Sequence, residues 1–119
     1  MRRVLTVLAV AAIAVGVSQA ADDEKPKYAI KEVMQQAHKD GLLKKVTDGG
    51  ASKEDKEMLL DLYLSLTENE PPKGDPASWK EKTTAVVIAA GKVVVGRDGA
   101  EEALKKTVNC GECHGEHKP

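Results

Sequence analysis

The sequence predicts an all-α protein folded as an up-down-up-down four-helix bundle, and three observations carry that reading. Apolar residues recur at spacings of three and four in four separate stretches of the chain. Short runs rich in Gly, Pro, Asp and Asn separate those stretches. The one β-branched run that invites a strand, Val93–Val94–Val95, continues the helical phase of the residues before it. Four helices joined by short loops pack most simply with each running against its neighbour.

Residues 1–20 stand apart from that domain. Arg2 and Arg3 form a positive head, Val4 to Val17 is apolar, and Ser18 and Ala20 are the small residues that signal peptidase requires before its cut. The apolar run is 14 residues, whereas a spanning helix needs roughly twenty. We therefore expect a cleaved signal peptide at 1–20 and a single mature domain at 21–119, exported to a bacterial periplasm, with no stable membrane insertion after cleavage. The residue directly after the cut is Ala21 and not a cysteine, so a lipid anchor is not expected.

Within the domain, the first stretch carries Ile30, Val33, Met34, Ala37 and Gly41–Leu42 on one face and is stopped by "TDGG" at 47–50. The second starts at Ser52, where "SKED" gives an N-cap with an acid three residues on, and its inner face is Met58, Leu59, Leu62, Tyr63 and Leu66. Asp75 caps the third and Pro76 takes its first position; its stripe is Trp79, Thr83, Val86, Val87, Ala90 and Val93–Val94. The fourth is expected to be capped by Asp98 and to run unbroken through Ala103, Leu104, Thr107, Val108 and Cys110 to His114. No internal repeat or low-complexity tract interrupts the pattern.

Charge and composition narrow the role. Without Arg2 and Arg3, 16 basic residues face 19 acidic ones, a net charge of −3 that does not suit a nucleic-acid binder. The aromatic residues are Tyr28, Tyr63 and Trp79, with no phenylalanine. A domain of this size with so few bulky side chains needs some other group to fill its core.

The last ten residues hold both cysteines and two of the three histidines. Cys110-Gly111-Glu112-Cys113-His114 is the Cys-x-x-Cys-His signature of c-type haem attachment. Two thiols one helical turn apart each add to a haem vinyl group, and the adjacent imidazole turns to the iron; Cys110 and His114, four apart, share a helix face. Other readings compete. A Cys110–Cys113 disulfide leaves His114 idle. A thiol oxidoreductase places its nucleophile at a helix N-terminus, normally in an αβ fold, whereas here the cysteines are expected at a helix's end. A structural zinc on Cys110, Cys113, His114 and His117 uses acceptable ligands, but adjacent Cys113 and His114 reach one tetrahedral ion with difficulty.

The signal peptide, four helical stretches and C-terminal haem motif together resemble the class II c-type cytochromes, the cytochrome c′ family. In that family the motif is usually followed, two residues on, by an aromatic and a basic residue; here "CHGEHK" puts His117 and Lys118 in those slots, and Lys118 would pair with a haem propionate or stay solvated. Class I cytochromes c resemble the chain less, because their motif stands near the N-terminus.

Function turns on the haem face opposite His114. The bundle topology brings the start of the first helix to the end of the fourth, which makes Met34 and His38 the distal candidates and leaves Met58 as core filler at the other end. His117 lies on the same helix as His114 and does not reach the other face. The resemblance places Met34, in "IKEVMQQ", at the family's distal methionine position, with Ile30 where an arginine often stands. His38 is an imidazole on an otherwise apolar stripe and needs a partner. A third outcome is an open distal face. Gly41 and Ala37 would admit a flat macrocycle, and Tyr63 and Trp79 would pack on it or serve ordinary helix packing.

The expected role is a monohaem electron carrier with one covalent haem c, acting on redox partner proteins. The alternatives are a five-coordinate gas-binding protein and a zinc-stabilised helical module. Nothing in the chain identifies a nucleophile, general acid or substrate pocket, so no enzyme is expected. Many relatives in the resembled family dimerise, which makes a homodimer one expected assembly.

Overall fold

The structure, a computed structural model, describes residues 25–119. The expected signal peptide at 1–20 lies outside the described residues, as does the start of the mature domain. The described residues are helical and contain no strand. None of the described helices is long and apolar enough to cross a membrane.

The elements are α1 (Ile30–Val33), continued by a π-helical turn over Met34–Lys39, then α2 (Leu42–Thr47), α3 (Lys53–Glu68), α4 (Pro76–Val94), α5 (Ala100–Thr107) and α6 (Cys110–His117). The two long helices begin where their caps predict. Ser52 accepts from the Asp55 backbone N–H while Asp55 accepts from the Ser52 N–H, closing the box in front of α3. Asp75 accepts from the Ala77 N–H, and Pro76 opens α4.

Two expected helices are divided. The first stretch is not one helix to Leu42: its middle widens to i→i+5 bonding, and Asp40–Gly41 turns the chain before α2. Gly41 has φ 86°, a left-handed conformation that costs glycine little. It is a turn residue, not a small residue on a packed face. Ala37, by contrast, is fully buried in the core. The fourth stretch also breaks. Gly99 caps α5 in place of Asp98, and α5 ends at Thr107. Val108 and Asn109 then leave helical geometry and α6 starts afresh at Cys110.

The core lies between α3 and α4, where Leu59, Leu62, Tyr63 and Leu66 meet Trp79, Ala89, Ala90 and Val93. Val33, Ala37 and Val46 close it from the N-terminal arm, and Ala100 and Leu104 from α5. Each fully buried leucine contributes on the order of 1.5–3 kcal/mol. The Trp79 indole N–H donates to the carbonyls of Leu66 and Asn69, at 3.0 and 2.9 Å, and so ties the start of α4 to the end of α3. Met58 packs at the core's edge, where the Tyr28 hydroxyl lies 3.8 Å from its sulfur.

Candidate functional site

Residue 109 decides where α6 begins. Asn109 Oδ1 accepts from the Glu112 N–H at 3.1 Å, and the Asn109 amide also meets the Glu112 carboxylate at 3.3 Å. The cap satisfies an otherwise orphaned donor and restarts the helix after the break. Cys110 is consequently the first residue of a helix, not near the end of one.

The rest of α6 is pinned to α4 and the loop before it. Glu116 pairs with the Lys82 ammonium and accepts from the Ser78 hydroxyl at 2.9 Å. These two partners hold the Glu116 carboxyl below its ordinary pKa. His117 is buried at 2% exposure and meets the Trp79 ring edge-on, with centroids 5.3 Å apart. Its Nδ1–H donates to the Lys73 carbonyl at 2.9 Å. The backbone loop comes so close that a Cβ on Gly74 would stand 2.8 Å from both the Glu116 carbonyl and His117 Nδ1.

His117 therefore fills the slot that the resemblance assigns to an aromatic, and it does so as an aromatic: as a core ring against Trp79. That placement takes it away from the cysteines. Among the described residues no group of three or more His, Cys, Asp or Glu side chains stands together as a metal site, so the four-ligand zinc set is not assembled.

With α6 docked in this way, Cys110, Cys113 and His114 line a cleft. Met34 and His38 from the π-helical turn line it too, together with Tyr63 and Leu66 of α3, Thr83 and Val86 of α4, and Val108. An adjoining hollow between α6 and the N-terminal arm is lined by Met34, His38, Cys110 and His114, with Lys31, Gln35 and Lys39 at its mouth. The first stretch and the chain's last helix thus line one cleft without packing directly on each other. Cys110 and Cys113 are free thiols, Cys110 and His114 are exposed, and Cys113, Met34 and His38 are half-buried. Burial pushes the Cys113 thiol above its usual pKa.

His38 has a protein partner. Its Nε2 lies 3.0 Å from the Tyr63 hydroxyl, with the rings tilted at 54°. Burial, and secondarily repulsion from His114, hold the imidazole below its usual pKa. Burial and the neighbouring Cys110 hold the Tyr63 phenol well above its own. Of the two aromatics expected to flank the site, Tyr63 lines the cleft, whereas Trp79 is committed to α3 and His117. Lys118 is exposed.

The donor set suits a covalently held haem: two thiols and an imidazole from α6, a thioether and an imidazole from the π-helical turn, and a largely apolar lining that includes Leu66, Val86 and Val108. A haem iron takes one or two ligands from the protein, so the lack of a three-residue metal cluster does not conflict with it. The position of Cys110 at the start of α6 removes one objection to a thiol oxidoreductase, which places its nucleophile at a helix N-terminus. It gives no use, however, to His114, Met34 or the cleft. No family model, no curated protein and no solved structure matches this chain.

Proposed function

We propose that the chain is an exported monohaem c-type cytochrome, a four-helix bundle in which the stretches 30–47, 53–68, 76–94 and 100–117 are the four arms, and that it carries single electrons between redox partner proteins in the periplasm. The observation that carries this reading is the shared cleft, lined by Cys110, Cys113 and His114 from one end of the sequence and by Met34 and His38 from the other.

Cys110 and Cys113 would hold the haem. Both are free thiols, able to hold the group through thioether bonds made by adding each S–H across a vinyl C=C with no net oxidation. His114, one residue after Cys113 on the same helix, would be the proximal iron ligand. When bound, the haem iron supplies a one-electron couple. Met34 or His38 would supply a second iron ligand, and a thioether would set a higher potential than a second imidazole. Leu66, Val86 and Val108 would offer the macrocycle apolar contact. With His114 and one of Met34 or His38 as ligands, electron transfer would be the activity left, and no enzymatic role is proposed.

The absorption spectrum of the purified chain tests this reading. Sharp α and β bands on reduction are expected. A broad high-spin spectrum that shifts with carbon monoxide would instead mark an open distal face and the gas-binding alternative. Absence of a Soret band from a chain matured in a host competent for haem attachment would remove both.

A further inference from the structure

The cleft is narrower than the group its donors suit. Its volume is about 240 Å³, below the roughly 300–1,000 Å³ of sites that enclose even a drug-sized ligand. A porphyrin is larger still, so one wall has to move before a macrocycle enters.

The two candidate walls differ in what opening exposes. The N-terminal arm carries Val33, Ala37 and Val46, each fully buried, and packs on α3 and α5. Lifting it takes three apolar side chains into water. Helix α6 packs on α4 alone among the described helices, and His117 is its one buried residue. Of the two His117 ring nitrogens only Nδ1 has a protein partner among the described residues, so the ring's polar hold on the body is a single bond. The other tie is Glu116 with Lys82 and Ser78, and the Glu116 side chain is 37% exposed, where water readily replaces an ion pair. Both ties sit at the C-terminal end of α6. At its other end Val108 and Asn109, with ψ of 89° and 91°, interrupt the helical path from α5.

Resting on the haem reading above, we infer that α6 is a hinged flap, which swings about Val108–Asn109 when the latch of Glu116 and His117 lets go and so admits the macrocycle beside Cys113. The arm that carries Met34 and His38 stays on the core meanwhile.

The motion is read on the reduced, unloaded full chain by alkylation with iodoacetamide, followed at each cysteine. Cys110 is exposed and Cys113 half-buried, so Cys113 labels more slowly in the parent. His117→Ala leaves the charges beside Cys113 in place. It speeds Cys113 labelling by about tenfold, through loss of one buried ring and its hydrogen bond, and leaves Cys110 unchanged. Ser78→Ala acts in the same direction by a smaller factor. In low urea, Cys113 opens with a weaker denaturant dependence than the backbone amides of Leu62 and Val93 in the core. An equal dependence means that Cys113 is uncovered only by global unfolding, and overturns the flap. A Cys113 rate that responds to Val33→Ala but not to His117→Ala makes the arm the moving wall and overturns it too, as does a parent whose two thiols label alike.

Admission is read by locking the latch. Carbodiimide joins Lys82 to Glu116 through a zero-length amide, verified by peptide mass. The locked parent then gains no Soret band from added haemin, whereas the untreated parent, and Glu116→Gln given the same treatment, both gain one. A locked chain that takes up haemin as they do overturns the flap's role. An untreated chain that binds no haemin, yet shows the graded Cys113 labelling, overturns the haem reading while confirming the hinge, so the two failures are distinguishable.

Discussion

Gly74 and His117 show how closely a surface loop and the last helix are fitted. Gly74 has φ 88°, and any Cβ there meets the Glu116 carbonyl and His117 Nδ1 at 2.8 Å. Gly74→Ala is expected to destabilise the fold by more than about 1 kcal/mol, since the residue combines a left-handed conformation with a clash against backbone. Thermal unfolding of the variant checks this; an unchanged midpoint would mean that α6 is not seated on this loop. Trp79 bears on the same contact from the core side. Trp79→Ala removes a ring at 4% exposure and leaves the Leu66 and Asn69 carbonyls without their donor, for an expected loss of about 3–5 kcal/mol in chemical unfolding. Little of this was readable from sequence. The resemblance put His117 in an aromatic slot, but a histidine's choice between metal, solvent and core depends on what lies opposite it. Here that is Trp79, distant along the chain.

At the scale of elements, α3 and α4 form where local rules say they should, because their caps, first-turn residues and apolar stripes all agree. The N-terminal arm and α5–α6 do not follow, for separate reasons. An apolar stripe with spacings of three and four does not distinguish α from π bonding over six residues, so the widened turn at Met34–Lys39 left no mark in the pattern. The break at Val108–Asn109 has no Gly or Pro to announce it. Its signal was Asn109 followed three residues later by Glu112, a capping pair inside what otherwise reads as one helix. Asn109→Ala is expected to cost about 1 kcal/mol and to fray α6 first, which backbone hydrogen exchange at Glu112 and Cys113 would show.

The clip between α6 and α4 also sets a pH range. Glu116 is held below its ordinary 4.5 by Lys82 and Ser78, so its contribution is present above that value and lost as pH falls through its folded pKa. Lys82 is raised above 10.5 by Glu116, so its contribution is present below that value and lost as pH rises through its folded pKa. The unfolding midpoint should therefore hold between about 4.5 and 10.5 as far as this pair is concerned. Lys82→Met should weaken the acid-side dependence; an identical pH profile in the variant would deny the clip any role.

For the molecule as a whole, the all-helical class was legible in the sequence. The period of the apolar residues and the brevity of the loops leave few arrangements. What was not legible was the division of labour inside the cleft: the sequence lists Met34, His38 and Tyr63 without saying that two of them are bonded to each other. The core also remains thin. Among the described residues its buried hydrophobic members are mostly Val, Ala and Leu, with Tyr63 and Trp79 as the bulky exceptions and the His117 ring beside them. A haem seated in the cleft would add the missing apolar bulk and stabilise the folded state by binding it selectively. Far-ultraviolet circular dichroism should thus show weaker helicity and a lower melting temperature for the unloaded chain; equal signals and equal melting would contradict that role.

The most direct measurement is the intact mass of the full-length chain after expression in a host that matures c-type cytochromes. The account predicts a species beginning at Ala21 and heavier by one haem, an addition that survives acid denaturation and disappears in Cys110→Ala/Cys113→Ala. A wild-type chain that emerges from that host with no added mass would contradict it.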